Sequence, residues 1–434
     1  MRNILVELCY NLHVVEEFMR FIWELSINCI ITFTINNLNM KNIFIFVTFL
    51  LIHSVSAQTN LSIIRATSMK VAIKDGGYLD KNAWSLAPKV KPDIYKAERT
   101  RETKWVIFYT DIDSIKVKVK PGSTFDFIVL LNGKDSCYTR ISSAIPPKNK
   151  QKNNISTLDT IPFILTKYNA IHIKSIINNR DTLNLHFDVG SFDFHFTRDA
   201  IVKKTKLLAN QPEAIAGKTK PNFNNLEKVF KIQLGNYVVD NPDMIPTQLT
   251  AHEMDGRFGW SIFEGKIVEI DYDKNLLIIH SKLPKKLMGY NKSNLKFIHS
   301  FVCVKSFLKI NKNKYAGNFL FDTGSDQAMI LDSTWAAKQH FPKDLKLIKL
   351  SSFRDPRGNK YENKIVETPR LSINNFTLTN IPATLLGSKR PLDFEMNYFG
   401  NGVLKRFNTI LDFKKDCIYL KPNKLINAAY RENS

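Results

Sequence analysis

Two stretches of this sequence carry an acid to the end of an apolar run and then turn sharply. In LNLHFDVGSFDF (183–194) the acid is Asp188, followed by Val189, Gly190 and Ser191; in GNFLFDTGSDQA (317–328) it is Asp322, followed by Thr323, Gly324 and Ser325. Two carboxylates held close together cannot both ionise cheaply, so they share one proton over a wide range of pH. The ionised member can then act as general base on a water between them. The protonated member donates to a carbonyl oxygen, and no covalent intermediate forms. Gly190 and Gly324 let the backbone turn tightly and bring its N–H groups against the carboxylates. Ser191 and Ser325 are placed to hydrogen-bond the outer carboxylate oxygens. Such chemistry needs no cofactor. No metal site is expected either, because His172, His186 and His195 sit in strand-like alternation with no Cys or carboxylate at ligand spacing.

The two acids belong to a longer repeat. VFKIQLGNYVVDN (229–241) parallels TPRLSINNFTLTN (368–380), and FGWSIFEGKIVEIDYDKNLLII (258–279) parallels FGNGVLKRFNTILDFKKDCIYL (399–420). With the Asp188/Asp322 pair, the three matches keep their order at offsets of 134, 139 and 141. Each unit spans about 130 residues of strand-like alternation, which predicts two similar β lobes and one Asp from each at a pseudo-twofold axis. Asp271 and Asp412 occupy equivalent positions and read as hairpin turn residues. DSTWAAKQHF (332–341) reads as a short helix capped by Asp332 or Ser333.

The predicted fold class is therefore all-β, with two similar β-barrel lobes (158–285 and 286–434) forming a cleft. A small β-rich domain (58–145) precedes them, followed by a polar linker (146–157) that opens with two prolines. Within that domain, SIKVKVKPGSTFDFIVLLNG alternates on both sides of a Pro-Gly turn in the pattern of a hairpin, and Trp105 to Tyr109 reads as another strand. Upstream, MKNIFIFVTFLLIHSVSAQTN has a lysine, an apolar run too short to span a bilayer comfortably, and small residues ending at Ala57. That pattern predicts a signal peptide (40–57) with cleavage after Ala57, a secreted or periplasmic location, and no membrane insertion of the remainder. Residues 1–39 precede a complete signal with its own Met40 and read as an over-extended start; the alternative is an amphipathic or membrane-anchoring leader.

The chain has 434 residues, 44% hydrophobic and 24% charged, in the range of a globular protein. Its formal charge of +22 comes from lysines scattered along the whole length. With no basic helix, aromatic RNA-binding signature or zinc-ligand spacing, a solvated basic surface is expected rather than nucleic-acid binding. Outside the leader the cysteines are Cys137, Cys303 and Cys417, an odd number that implies no disulfide framework.

Phe319-Leu320-Phe321 leading into Asp322-Thr323-Gly324-Ser325, with Tyr398-Phe399-Gly400 later in the same unit, resembles the aspartic peptidases in the broad sense that includes pepsin-like and retropepsin-like enzymes. The resemblance covers residues 158–434, and similar leading domains occur in bacterial secreted members. It implies an aspartic endopeptidase acting on a polypeptide substrate through Asp322 and Asp188, as a monomer. It also implies that Tyr398-Phe399-Gly400 crosses beneath the active loop, and that a hairpin flap covers the substrate; Gly217 and Gly358 lie at plausible places for its tip. The first lobe departs from the pattern twice. Val189 stands where the family has the Thr whose hydroxyl locks the two active loops reciprocally, and Arg257 precedes Phe258-Gly259 where an apolar residue is expected. Two alternatives follow: a homodimer using only Asp322 of each chain, and a non-catalytic protein that grips extended peptides between the lobes.

Overall fold

The computed structural model describes residues 61–88, 93–147, 158–354, 360–387 and 394–430. The expected leader, the signal with its cleavage position after Ala57, residues 148–157 of the expected linker, and Gly358 lie outside these residues.

The described chain begins with eight strands: β1 (Ser62–Ala66), β2 (Lys70–Asp75), β3 (Tyr78–Ser85), β4 (Asp93–Ala97), β5 (Lys104–Tyr109), β6 (Ser114–Val119), β7 (Thr124–Leu131) and β8 (Asp135–Ser143). They form two four-stranded sheets, in the orders β1-β7-β8-β4 and β3-β2-β5-β6. Alternation aims Val71 and Ile73 of β2, Val117 and Val119 of β6, and Phe127 and Val129 of β7 into one core. One expectation is corrected here. The Pro121-Gly122 turn does not close a hairpin, because β6 pairs with β5 and β7 pairs with β8. The turn carries the chain from one sheet to the other. Gly122 takes φ +81° and donates its N–H to Ile145 across the corner. Alternation specifies which residues face inward but not which strand they pair with, and here both strands face the same core from opposite sheets.

From residue 158 the chain is built twice. In the first unit β11 (Ile171–Ile177) and β12 (Asp181–Phe187) pair antiparallel. β12 runs parallel to β17 (Gly256–Phe258), with Phe187 opposite Phe258. β17 also pairs antiparallel with β13 (Phe194–Thr197), which runs parallel to β16 (Met244–Thr247). β14 (Lys231–Leu234) forms a hairpin with β15 (Tyr237–Asp240) and returns to β11. In the second unit β21 (Phe301–Ile310) and β22 (Asn313–Asp322) take the places of β11 and β12. β27 (Asn397–Gly400) takes that of β17, with Phe321 opposite Phe399, and β23 (Met329–Leu331) that of β13. β25 (Lys360–Ile373) returns to β21 as β14 does to β11, and the later part of β26 (Phe376–Leu385) runs parallel to β23. A short helix follows the third strand of each unit: α1 (Arg198–Lys204), capped by Thr197, and α3 (Ser333–Lys338), capped by Asp332. In both, a side-chain oxygen at the equivalent position accepts the first free helix N–H groups.

The tails of the two units close the molecule. β18 (Ile267–Asp271) and β28 (Phe407–Asp412) pair antiparallel, with β19 (Leu276–His280) beyond β18 and β29 (Cys417–Pro422) beyond β28. Asp271 and Asp412 each accept two backbone N–H groups across the turns that follow, the role expected of them. One continuous apolar core runs through both units, joining Phe187, Phe194 and Phe258 to Phe319, Phe321 and Phe399. The fold is all-β, with two similar barrel-like lobes.

The lobes differ between the short helix and the return strand. In the second, β24 (Leu347–Arg354) and β25 form a long hairpin with Arg354 opposite Lys360, and Gly358 belongs to the stretch joining them. The first has no such hairpin. Gly217, expected at a flap tip, instead follows the four-residue α2 (Pro212–Ile215), taking φ +74° and donating its N–H to Ala214. Pro212 starts that helix, and the Gln211 amide closes the loop by bonding Asn222 and Asn225, so the segment forms a helical turn rather than paired strands.

The N-terminal sheets dock through residues 96–101. Arg99, 1% exposed, bonds Glu264 through Nε at 2.5 Å and Asp416 through Nη2 at 2.7 Å, with its guanidinium 3.8 Å from the Phe297 ring centre. Lys96, 48% exposed, pairs with Asp193 and Asp243. Removing one partner of a buried pair strands the other, so Arg99→Met is expected to cost about 3–5 kcal/mol in urea unfolding. Lys96→Ala, at an exposed pair, should cost below about 1 kcal/mol. Equal, small effects would mean that Arg99 does not anchor the docking.

Candidate active site

Each acid stands at the end of a buried strand, Asp188 just beyond β12 and Asp322 as the last residue of β22. Phe187 and Phe321 lie in the core, and alternation turns the next side chain outward. The flanking parallel strand fixes the height of each loop: Asp188 donates its N–H to Phe258, and Asp322 lies opposite Gly400. Gly259 and Gly400 let the loops pass. A Cβ on Gly259 would stand 2.1 Å from the Ser191 carbonyl oxygen, and one on Gly400 2.2 Å from that of Gln327. This is the crossing expected beneath the active loop.

Asp188 and Asp322 meet, and their carboxyl groups hydrogen-bond each other. Each passes over the glycine of the other lobe. A Cβ on Gly324 would lie 2.5 Å from the Asp188 carboxyl carbon, and one on Gly190 2.8 Å from Asp322 Oδ1. The same glycines turn their N–H groups onto their own acids, Gly190 to Asp188 Oδ1 at 2.9 Å and Gly324 to Asp322 Oδ1 at 3.0 Å. Thr323 is fully buried. Its hydroxyl accepts the Val189 N–H at 3.0 Å and donates to the Phe187 carbonyl at 2.8 Å, binding the second loop to the first. Val189 is equally buried but has no polar atom to return the contact.

A histidine supplies a second tie between the loops. His252 Nε2 lies 2.8 Å from the Gly324 carbonyl oxygen, and since a carbonyl only accepts, Nε2 carries the proton. His252 and Glu253 both have positive φ (63° and 56°), a conformation that ordinary residues adopt at a cost and that packing must hold. The His252 ring stacks on Tyr168 at 6.2 Å and meets His186 edge-on at 5.6 Å.

The electrostatics of the acids differ. Burial raises Asp322 well above the usual carboxylate range, and the charge of Asp188 and the hydrogen bond to it raise it further. Burial also raises Asp188, but Arg257 opposes the shift, with Nε 3.9 Å from Asp188 Oδ2. Both acids are thus raised by burial and titrate as a coupled pair, with Arg257 favouring the ionised form on the Asp188 side. His186 is pushed down to about 3 by burial and by the nearby His252 and Arg257, so it is neutral.

Of the other residues expected at the site, Ser325 reaches Asp322 through its backbone N–H. Ser191 is a correction: its hydroxyl accepts a hydrogen bond from Arg257 Nε at 3.0 Å instead of orienting Asp188, because the cation on the neighbouring strand reaches it first. Arg257 and His252 are the participants that sequence reasoning missed. Arg257 stood out only as a polar residue before Phe-Gly. His252 carries no signal, since only the fold of its loop brings it to Gly324. Among the described residues, no group of three His, Cys, Asp or Glu side chains converges as a metal site would.

No protein-family model and no curated protein matches this chain. Among solved structures it is similar to the crystal structure of an aspartic proteinase from Irpex lacteus, at 10% identity and a TM-score of 0.40, covering 63% of this chain and all of that one.

Gly324→Ala is expected to push the Asp188 carboxylate out of place and lower any activity by about a hundredfold or more. Unchanged activity with unchanged stability would show that the carboxylates do not need this close approach. His252→Ala should lower the turnover number about tenfold. Adding Val189→Thr, which returns a hydroxyl to the first loop, should restore most of it. No recovery in the double variant would argue against His252 as a loop tie.

Proposed function

We propose that the protein is a secreted aspartic endopeptidase in which Asp188 and Asp322 of one chain activate water for attack on a peptide bond. The observation that carries this reading is the hydrogen-bonded carboxyl pair seated across Gly190 and Gly324. Asp188, kept ionised by Arg257, takes the proton of a water lying between the acids. Asp322, which holds the shared proton, gives it to the carbonyl oxygen as the tetrahedral intermediate forms; Asp188 then passes the proton taken from water to the leaving nitrogen, and a hydroxyl of the collapsing intermediate returns a proton to Asp322. The N–H groups of Gly190 and Gly324 keep each carboxylate in line without ordering cost during the reaction.

Because Asp188 already stands beside Asp322, a second chain is not needed to complete the pair, and a working monomer is the expected form. The half-lock left by Val189 favours one rival reading, a protein that grips extended peptides without cutting them. Cleavage of a diverse peptide pool by residues 58–434, confirmed monomeric and scanned from acid to neutral pH, separates the two. Asp188→Asn and Asp322→Asn should each lower the rate by about a thousandfold or more. Peptide binding with no cleavage at any pH would favour the clamp. Cleavage untouched by Asp188→Asn would return the dimer reading.

The pH profile gives a second test. Arg257 favours the ionised form of Asp188, so its removal raises the acid-side apparent pKa of the pair. Since the base must be ionised, the acid limb of kcat/KM in Arg257→Met should move to higher pH. An unmoved limb would mean that the guanidinium does not act on the pair.

A further inference from the structure

The same register positions carry opposite chemistry in the two lobes. Two residues before Asp188, on the same face of β12, is His186; its neighbour on β17 is Arg257, and the next across, on β13, is His195. The equivalents beside Asp322 are Leu320, Tyr398 and Ile330. The first-lobe positions beside the acid pair are therefore basic, while the equivalent second-lobe positions carry no charge and lie in the core or against it.

Arg257 has capacity left over. Its Nε edge serves Ser191 and faces Asp188, while neither Nη atom has a hydrogen-bond partner among the described residues. The side chain is 29% exposed, twice the 14% of Asp188, so its outer edge is open to solvent beside the reacting groups. A guanidinium presents five N–H donors in a planar fork and can hold two carboxylates on two edges. Arg99 does so elsewhere in this molecule, with Glu264 and Asp416. His186 adds a buried ring nitrogen, Nδ1, that also has no partner.

From this juxtaposition we infer, resting on the peptidase reading, that the site selects polypeptides with an acidic side chain on the first-lobe side of the cleaved bond. The single negative charge of the acid pair is balanced by Arg257, so an incoming carboxylate meets a cation whose outer edge is unfilled. Leu320 and Tyr398 are buried and carry no positive charge, so the second-lobe side offers no such cation. The formal charge of +22 adds a general attraction for acidic chains.

The test uses peptide pairs that differ only by Glu against Gln, or Asp against Asn, on either side of a central bond. Binding is measured on the Asp322→Asn protein, and cleavage on the wild type. On one side of the bond the acidic peptides should bind at least about tenfold more tightly. Combining Arg257→Met with Asp322→Asn should abolish the difference at unchanged melting temperature, and Arg257→Glu should shift the preference to Lys-bearing peptides. Equal binding of the members of each pair, or a preference that survives Arg257→Met, overturns the inference. If the acidic preference is present and depends on Arg257 but the wild type cuts nothing, the inference about the site stands and the peptidase reading fails.

Discussion

Two carboxyl groups can share a proton only if nothing stands between them, and the structure around this pair is organised to keep that space clear. Asp188 lies against the Cα of Gly324, and Asp322 against that of Gly190, so each lobe supplies the floor for the other's acid. This crossed seating needs both loops at one height, which the parallel pairs Phe187–Phe258 and Phe321–Phe399 provide. It also needs the loops to approach closely from below, which Gly259 and Gly400 allow. The aromatic core beneath, with Phe319 and Phe399 stacked at 4.2 Å, makes those heights rigid.

The second constraint is the asymmetry laid over this near-twofold frame. Thr323 ties the loops in one direction only, and His252 adds a bond from the first lobe to the loop it would otherwise leave less restrained. Arg257 breaks the electrical equivalence of the acids by favouring the ionised form of Asp188. The lobes also part ways in what lies between helix and return strand, with a long hairpin in one and a helical turn in the other.

The N-terminal sheets have their own core and meet the lobes through a short charged strap. Arg99 is the anchor because it is dry, forked onto Glu264, bonded to Asp416 and stacked on Phe297; the more exposed pair at Lys96 adds orientation rather than stability. The strap lands on Asp193 and Glu264, which flank the Gly259 crossing in the sequence.

Much of this was legible from residue types and spacing. The Asp-x-Gly-Ser pairs, the three ordered matches and the Phe-Gly crossings are local patterns, and strand alternation propagates them directly into the all-β two-lobed frame and the placement of both acids on outward faces. What the sequence could not state depends on which strands become neighbours. Alternation predicted a hairpin at Pro121-Gly122, but the two strands belong to different sheets, because periodicity reports facing and not pairing. Gly217 matched a flap tip by position, yet a proline-started helix and the Gln211 amide fold its segment otherwise. Ser191 was given to Asp188 until the register placed Arg257 on the adjacent strand, and His252 reaches the Gly324 carbonyl only through a loop held at positive φ. By itself the sequence determined that two acids are delivered to two equivalent turns. The tertiary structure decided that the two acids are electrically unequal, since that depends on charges and donors brought from distant segments to within 4 Å.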